Sequence, residues 1–73
     1  MVVKGINHKK GEFQGKAYDN YQLFGVENET WLMVKVPKRV IDESGIKDIT
    51  LLLNKNIEIL YNRFGNVEKI RLA

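Results

Sequence analysis

Apolar and polar residues alternate with a period of two along much of the chain, most clearly at Trp31-Leu32-Met33-Val34-Lys35-Val36. Leu32, Val34 and Val36 share one face of an extended strand there, and Trp31, Met33 and Lys35 share the other. Residues 2–14 read as a first strand, with a bend expected at Gly5 or Gly11. Residues 17–27, rich in Tyr, Phe, Leu and Val, read as a second strand. Gly15-Lys16 turns between them, and Asn28-Glu29 is a polar break before the third strand at 31–36. Over 40–53 the period changes: Ile46, Ile49, Leu52 and Leu53 recur at helical spacing, with Asp42, Glu43 or Ser44 as N-cap. Gly45 and the β-branched Ile49-Thr50 argue against regular helix through the whole stretch. Residues 57–61 and 67–72 form a terminal hairpin. In its last strand Ile70 and Leu72 face one way, and Val67, Lys69 and Arg71 face the other as a basic stripe.

Three strands, a short helical connection and two further strands make a mainly β protein. This is the element order of a small five-stranded OB-like barrel with one short helix between strands 3 and 4. An SH3-like barrel has a similar strand count and is the main rival. The 73 residues make a single domain, 1–73, with a small core. With no cysteine there is no disulfide staple, so stability has to come from packing or from a second subunit, and a homodimer is a reasonable expectation. No apolar run reaches the length of a membrane span. Val2-Val3-Lys4-Gly5 begins structure at once rather than forming a signal peptide, so a cytoplasmic location is expected, or a nuclear one in a eukaryotic host.

The formal charge of +3 matters less than its distribution. Residues 1–18 hold Lys4, Lys9, Lys10 and Lys16 against Glu12, and residues 19–30 hold only acids. Positive charge returns at Lys35, Lys38 and Arg39, and again at Arg63, Lys69 and Arg71. Such patches suit phosphate contact, although a mixed solvated surface is common in any soluble domain.

Rings accompany these cations. Phe13-Gln14-Gly15-Lys16-Ala17-Tyr18, then Tyr21 and Phe24, combine a glycine turn, a lysine and aromatics, and Tyr61-Asn62-Arg63-Phe64-Gly65 repeats the chemistry. Single-stranded nucleic acid needs cations for phosphates and rings for unstacked bases. Tyr18 and Phe64, at hairpin tips, are poorly placed to reach a core and are read as binding residues. Tyr21 and Phe24 are read as core. Trp31, with Met33, is read as an interface or packing residue. No catalytic constellation is visible. His8 is the sole histidine, too few for a metal site; Asp42-Glu43 reads as a helix cap; Ser44 has no His-Asp partners; and no glycine-rich phosphate loop is present. Neither an enzyme activity nor a cofactor is expected.

At Gln14-Gly15-Lys16-Ala17-Tyr18 the chain resembles the gene V-type helix-destabilising, single-stranded-DNA-binding proteins of filamentous phages, which carry Gln-Gly-Lys-Pro-Tyr after their first strand. The resemblance continues in short matches across most of residues 13–72: Gln22-Leu23 with Val26-Glu27, Leu32-Met33-Val34-Lys35, Phe64-Gly65 and Lys69-Ile70-Arg71-Leu72. It implies that Tyr18 stacks on a base and that Lys16 lies in the binding turn. It places Lys35 in the DNA groove, Phe64 on DNA from its loop and Lys69 and Arg71 against phosphate. It also implies a two-fold dimer that coats single strands cooperatively. The chain departs from that family in a shorter first hairpin and in Ala17 for the turn proline. Phe13 stands for an arginine, Gly25 and Thr30 stand for tyrosines, and segment 38–56 has no close match.

The expectation is a sequence-tolerant single-stranded-DNA-binding protein supporting replication of a phage, plasmid or other mobile element. Lys16, Tyr18, Lys35, Arg63, Phe64, Lys69 and Arg71 would meet nucleic acid, and Trp31 and Met33 a second copy. The alternative is an OB- or SH3-like protein-interaction module in a larger assembly. RNA binding of the cold-shock type is a weaker third reading, because that family's dense aromatic strand motifs are missing.

Overall fold

Two tight turns set the register of the larger sheet. The computed structural model describes residues 1–73 in full. Strands β1 (Val2–Phe13), β2 (Lys16–Glu27) and β3 (Thr30–Pro37) form an antiparallel meander. The φ angles are 51° and 78° at Gln14 and Gly15, and 50° and 65° at Asn28 and Glu29. Positive φ at both central residues marks type I′ turns, whose twist matches that of the flanking strands. Phe13 therefore pairs with Lys16, and Glu27 with Thr30. The first turn is Gln14-Gly15 rather than Gly15-Lys16, and Lys16 opens β2.

The expected bend at Gly5 is a register shift between Val3 and Gly5. The extra residue carries the inward face from Val3 to Ile6. Across the sheet Ile6 is opposite Leu23, which is opposite Val34, while Val36 is opposite Tyr21. The inward and outward faces of β3 fall as the alternation predicts.

The helical expectation for 40–53 is met only in part. Helix α1 spans Lys38–Glu43, with Pro37 as its N-cap. Asp42, Glu43 and Ser44 therefore lie at its C-terminal end, not at its start. Gly45, at φ 76°, ends it: Gly45 N donates to Asp42 O at 3.2 Å, and Ile46 N to Ile41 O at 3.3 Å. These two bonds make a Schellman stop, which needs a residue tolerant of the left-handed region. A separate 3₁₀ turn, Ile49–Leu52, follows, and Asp48 caps it by accepting from Thr50 N at 3.0 Å. The helical spacing of Ile46, Ile49 and Leu52 is thus not that of one helix: Ile46 lies in the loop between the two segments, and Ile49 and Leu52 in the 3₁₀ turn.

Strands β4 (Ile57–Tyr61) and β5 (Val67–Leu72) form a second antiparallel sheet. A shift between Leu60 and Tyr61 pairs them with Lys69 and Val67, leaving Glu68 without a partner. The bulge breaks strict alternation. Val67 is buried with Ile70 instead of joining Lys69 and Arg71, and Leu72 is exposed.

The two sheets meet at one seam. Asn54 N donates to Val3 O at 2.7 Å, Val3 N to Lys55 O at 3.0 Å, and Ile57 N to Met1 O at 2.8 Å. At the other seam, between β3 and β5, no ladder forms. Instead the Ser44 hydroxyl accepts from Ile70 N at 3.0 Å. The end of α1 takes a donor on the outer edge of β5, and the five strands stand as separate sheets of three and two, neither of them closed. Val3, Leu23, Val36, Val40, Ile41, Leu52, Ile57, Val67 and Ile70 fill the space between them. Burying each large side chain stabilises the fold by ~1.5–3 kcal/mol. No helix is long and apolar enough to cross a membrane.

Candidate nucleic-acid interface

The outward face of the three-stranded sheet follows from the same parity. It carries Phe13 on β1, then Lys16, Tyr18, Gln22 and Phe24 on β2, and Trp31, Met33 and Lys35 on β3. From Lys16 to Val26 it is about 33 Å long at ~3.3 Å per residue. Trp31 and Phe13 are each 69% exposed, and Tyr18, Phe24 and Met33 are also exposed. Phe24 therefore corrects the core assignment: its pairing with Met33 and Gly5 places it outside. Tyr21 lies on the inward face, half-buried and stacked on His8 with ring centroids 4.4 Å apart. The His8 imidazole meets the Asp19 carboxylate, so this histidine is engaged within the chain.

One glycine shapes the platform. Gly11 is opposite Tyr18, and a Cβ on it would come within 2.7 Å of the Tyr18 hydroxyl oxygen. Gly5 is opposite Phe24, whose ring carbon would lie 3.9 Å from a Cβ there. Without a side chain at position 11, Tyr18 leans across β1, whereas a Cβ at Gly5 would meet Phe24 at ordinary van der Waals distance. Lys9, Lys16 and Lys35 share this face and none is in an ion pair. Lys9, Phe13, Tyr18, Asn20 and Lys35 edge a shallow groove of about 490 Å³.

The remaining expected residues divide between two other places. Arg63 and Phe64 sit in the β4–β5 turn, where the Arg63 guanidinium lies 4.9 Å from the Phe64 ring centroid. The Asn62 carboxamide oxygen braces this turn by accepting from Phe64 N at 2.8 Å and Asn66 N at 3.1 Å. Phe64 is 73% exposed. A cleft of about 840 Å³ separates this turn from β3, with Lys35 on one wall and Asn62, Gly65 and Asn66 on the other. Lys69 and Arg71 are on the outward face of the β4–β5 hairpin, away from both groove and cleft. Arg71 is committed there: its Nε and Nη2 donate to the two Glu58 carboxylate oxygens, each at 3.0 Å. That pairing raises the Arg71 pKa and holds the Glu58 carboxyl below its ordinary value, the hydrogen bond acting more strongly than the charge.

Lys16, Tyr18 and Lys35 are thus brought together with Trp31 and Met33, while Lys69 and Arg71 are not. Lys9, Asn20, Gln22 and Phe24 were missed as members of the face. Counting in twos from Tyr18, and pairing β1 to β2 across Gln14-Gly15, would have found them. Free cations beside exposed rings can neutralise phosphates and stack bases. Comparison with protein-family models, with curated proteins and with solved structures finds no match for this chain.

Proposed function

We propose that the protein binds single-stranded DNA, with little sequence preference, on the outward face of the β1–β2–β3 sheet. The observation that carries this reading is the alignment of Tyr18 and Phe24 with unpaired Lys9, Lys16 and Lys35 on one exposed surface. Each base stacked on a ring adds ~1–3 kcal/mol regardless of its identity, and the lysines add a salt-sensitive attraction. The strand is held open passively, without hydrolysis.

The resemblance to gene V-type proteins at Gln14-Gly15-Lys16-Ala17-Tyr18 supports the same reading. It also supports a role in replication of a phage, plasmid or mobile element. The element order and the joining of β1 to the start of β4 favour an OB-type barrel left open between β3 and β5. Trp31 and Met33, at the end of the face remote from the Gln14-Gly15 turn, are the proposed contact with a second copy.

Titration with poly-dT, followed by Trp31 and tyrosine fluorescence at low and high salt, tests the function. Saturable quenching that salt reverses, with duplex DNA binding much more weakly, is the expected result. A folded protein that shows no quenching at low salt would overturn it. The second reading, a protein-interaction module, is favoured by the exposed apolar side chains of Trp31, Leu32 and Met33 on β3. Binding through that edge would persist at high salt, where phosphate contacts weaken.

A further inference from the structure

The cleft between β3 and the β4–β5 turn differs in chemistry from the sheet face. The face offers rings and lysines, groups that accept any base. The cleft adds carboxamides not engaged with one another, with the carboxylates of Glu43 and Glu68 also on its lining. Asn20 and Asn66 line it, and neither side chain is hydrogen-bonded within the chain. Tyr61, 54% exposed, presents its ring in the same space. Lys35 and Asn20 border both the shallow groove and the cleft, so the two are continuous across β3. A volume of about 840 Å³ falls within the range of pockets that hold small ligands.

Resting on the reading above, we infer that the cleft is a subsite for one unstacked nucleobase of the bound strand. The base stacks on Tyr61 and its edge hydrogen-bonds to the carboxamides of Asn20 and Asn66. Lys35 holds the adjoining phosphate where the strand leaves the sheet face. A carboxamide supplies both donor and acceptor, which is what the edge of a splayed-out base requires. One good polar pairing with a base edge discriminates by roughly tenfold or more. The protein therefore has one base-selective position on an otherwise tolerant track.

Binding of oligo-dT, oligo-dC and oligo-dA of equal length, read by Trp31 quenching, tests this. The wild-type protein should rank the three over about a tenfold range. Asn66→Ala and Asn20→Ala should level the ranking without abolishing binding, and Tyr61→Leu should weaken all three by about tenfold. Photocrosslinking with 4-thiothymidine-substituted oligo-dT gives an independent measurement on unmutated protein, and the adduct should map to Tyr61. If the three oligomers bind equally and crosslinks fall only on β1 and β2, the subsite is wrong while single-strand binding stands. If none binds at low salt, both readings fall.

Discussion

Tyr18 occupies space that only a glycine at position 11 leaves open: a Cβ there would sit 2.7 Å from the tyrosine oxygen and 3.0 Å from Cζ. Gly11→Val should therefore lift the ring from β1 without removing it. We expect single-stranded DNA affinity to fall by about 1–2 kcal/mol, close to the effect of Tyr18→Ala, while circular dichroism stays unchanged. Unaltered affinity in Gly11→Val would show that the ring's posture is irrelevant to binding.

The salt dependence of binding should sort the cations. Lys16→Ala and Lys35→Ala should each reduce the slope of log K against log salt by ~0.7, the single-strand value per phosphate contact. Arg71→Ala should leave the slope as it was, because Glu58 already holds that guanidinium. Titrations across a salt series read all three.

Gly25 is fixed by crowding of the backbone. A Cβ there would lie 2.3 Å from Val2 O and 2.8 Å from the Met1 side chain. Gly25→Ala should destabilise the fold by more than ~2 kcal/mol, since the clash is with main chain at the seam joining the two sheets. Urea unfolding measures it.

Ser44→Ala should cost about 1–3 kcal/mol by leaving the Ile70 N–H without its acceptor at the edge of β5. Ser44→Thr keeps the hydroxyl and should recover part of that loss in the same urea assay.

Glu58 sets an acid-side dependence. Its pKa is lowered in the folded chain by the hydrogen bond from Arg71 and then by the charge of Arg71. A depressed folded pKa means that stabilisation is present above the ordinary glutamate value and is lost as pH falls through the folded one. Asp48, lowered by its bonds to Thr50, acts in the same direction. The stability difference between wild type and Glu58→Gln should therefore shrink as the pH is taken down through the carboxylate range.

Strand positions and the parity of β3 were legible because alternation needs only neighbours in sequence. Pairing across Gln14-Gly15 is nearly so, although Gly15-Lys16 carries a similar turn signal, and the hydrophobicity of Phe24 suggests core while its parity is that of the exposed Tyr18. Two features lay outside any local signal. The Glu68 bulge depends on which pairing lets Val67 and Ile70 both reach the core. At the gap between β3 and β5, Ser44, a cap candidate for its own helix by sequence, bonds a strand 26 residues away. On the candidate site, Lys16, Tyr18 and Lys35 were found together because they share one parity. The pairing of Arg71 with Glu58 was not legible, because only the β4–β5 register brings the two opposite each other.

The first hairpin also outruns its support. β3 ends at Pro37 opposite Asn20, so the chain from Lys10 to Asp19 continues as two strands alone. Amides in that projection should exchange with deuterium far sooner than those around Leu23, because little buried apolar surface holds the projection closed. Phe24 and Trp31 then stand on stiff backbone, while Phe13 and Tyr18 ride on a compliant arm. An incoming strand would have to quiet that arm, and the slowing of exchange at Gly11 and Tyr18 on binding would report how much order the ligand imposes.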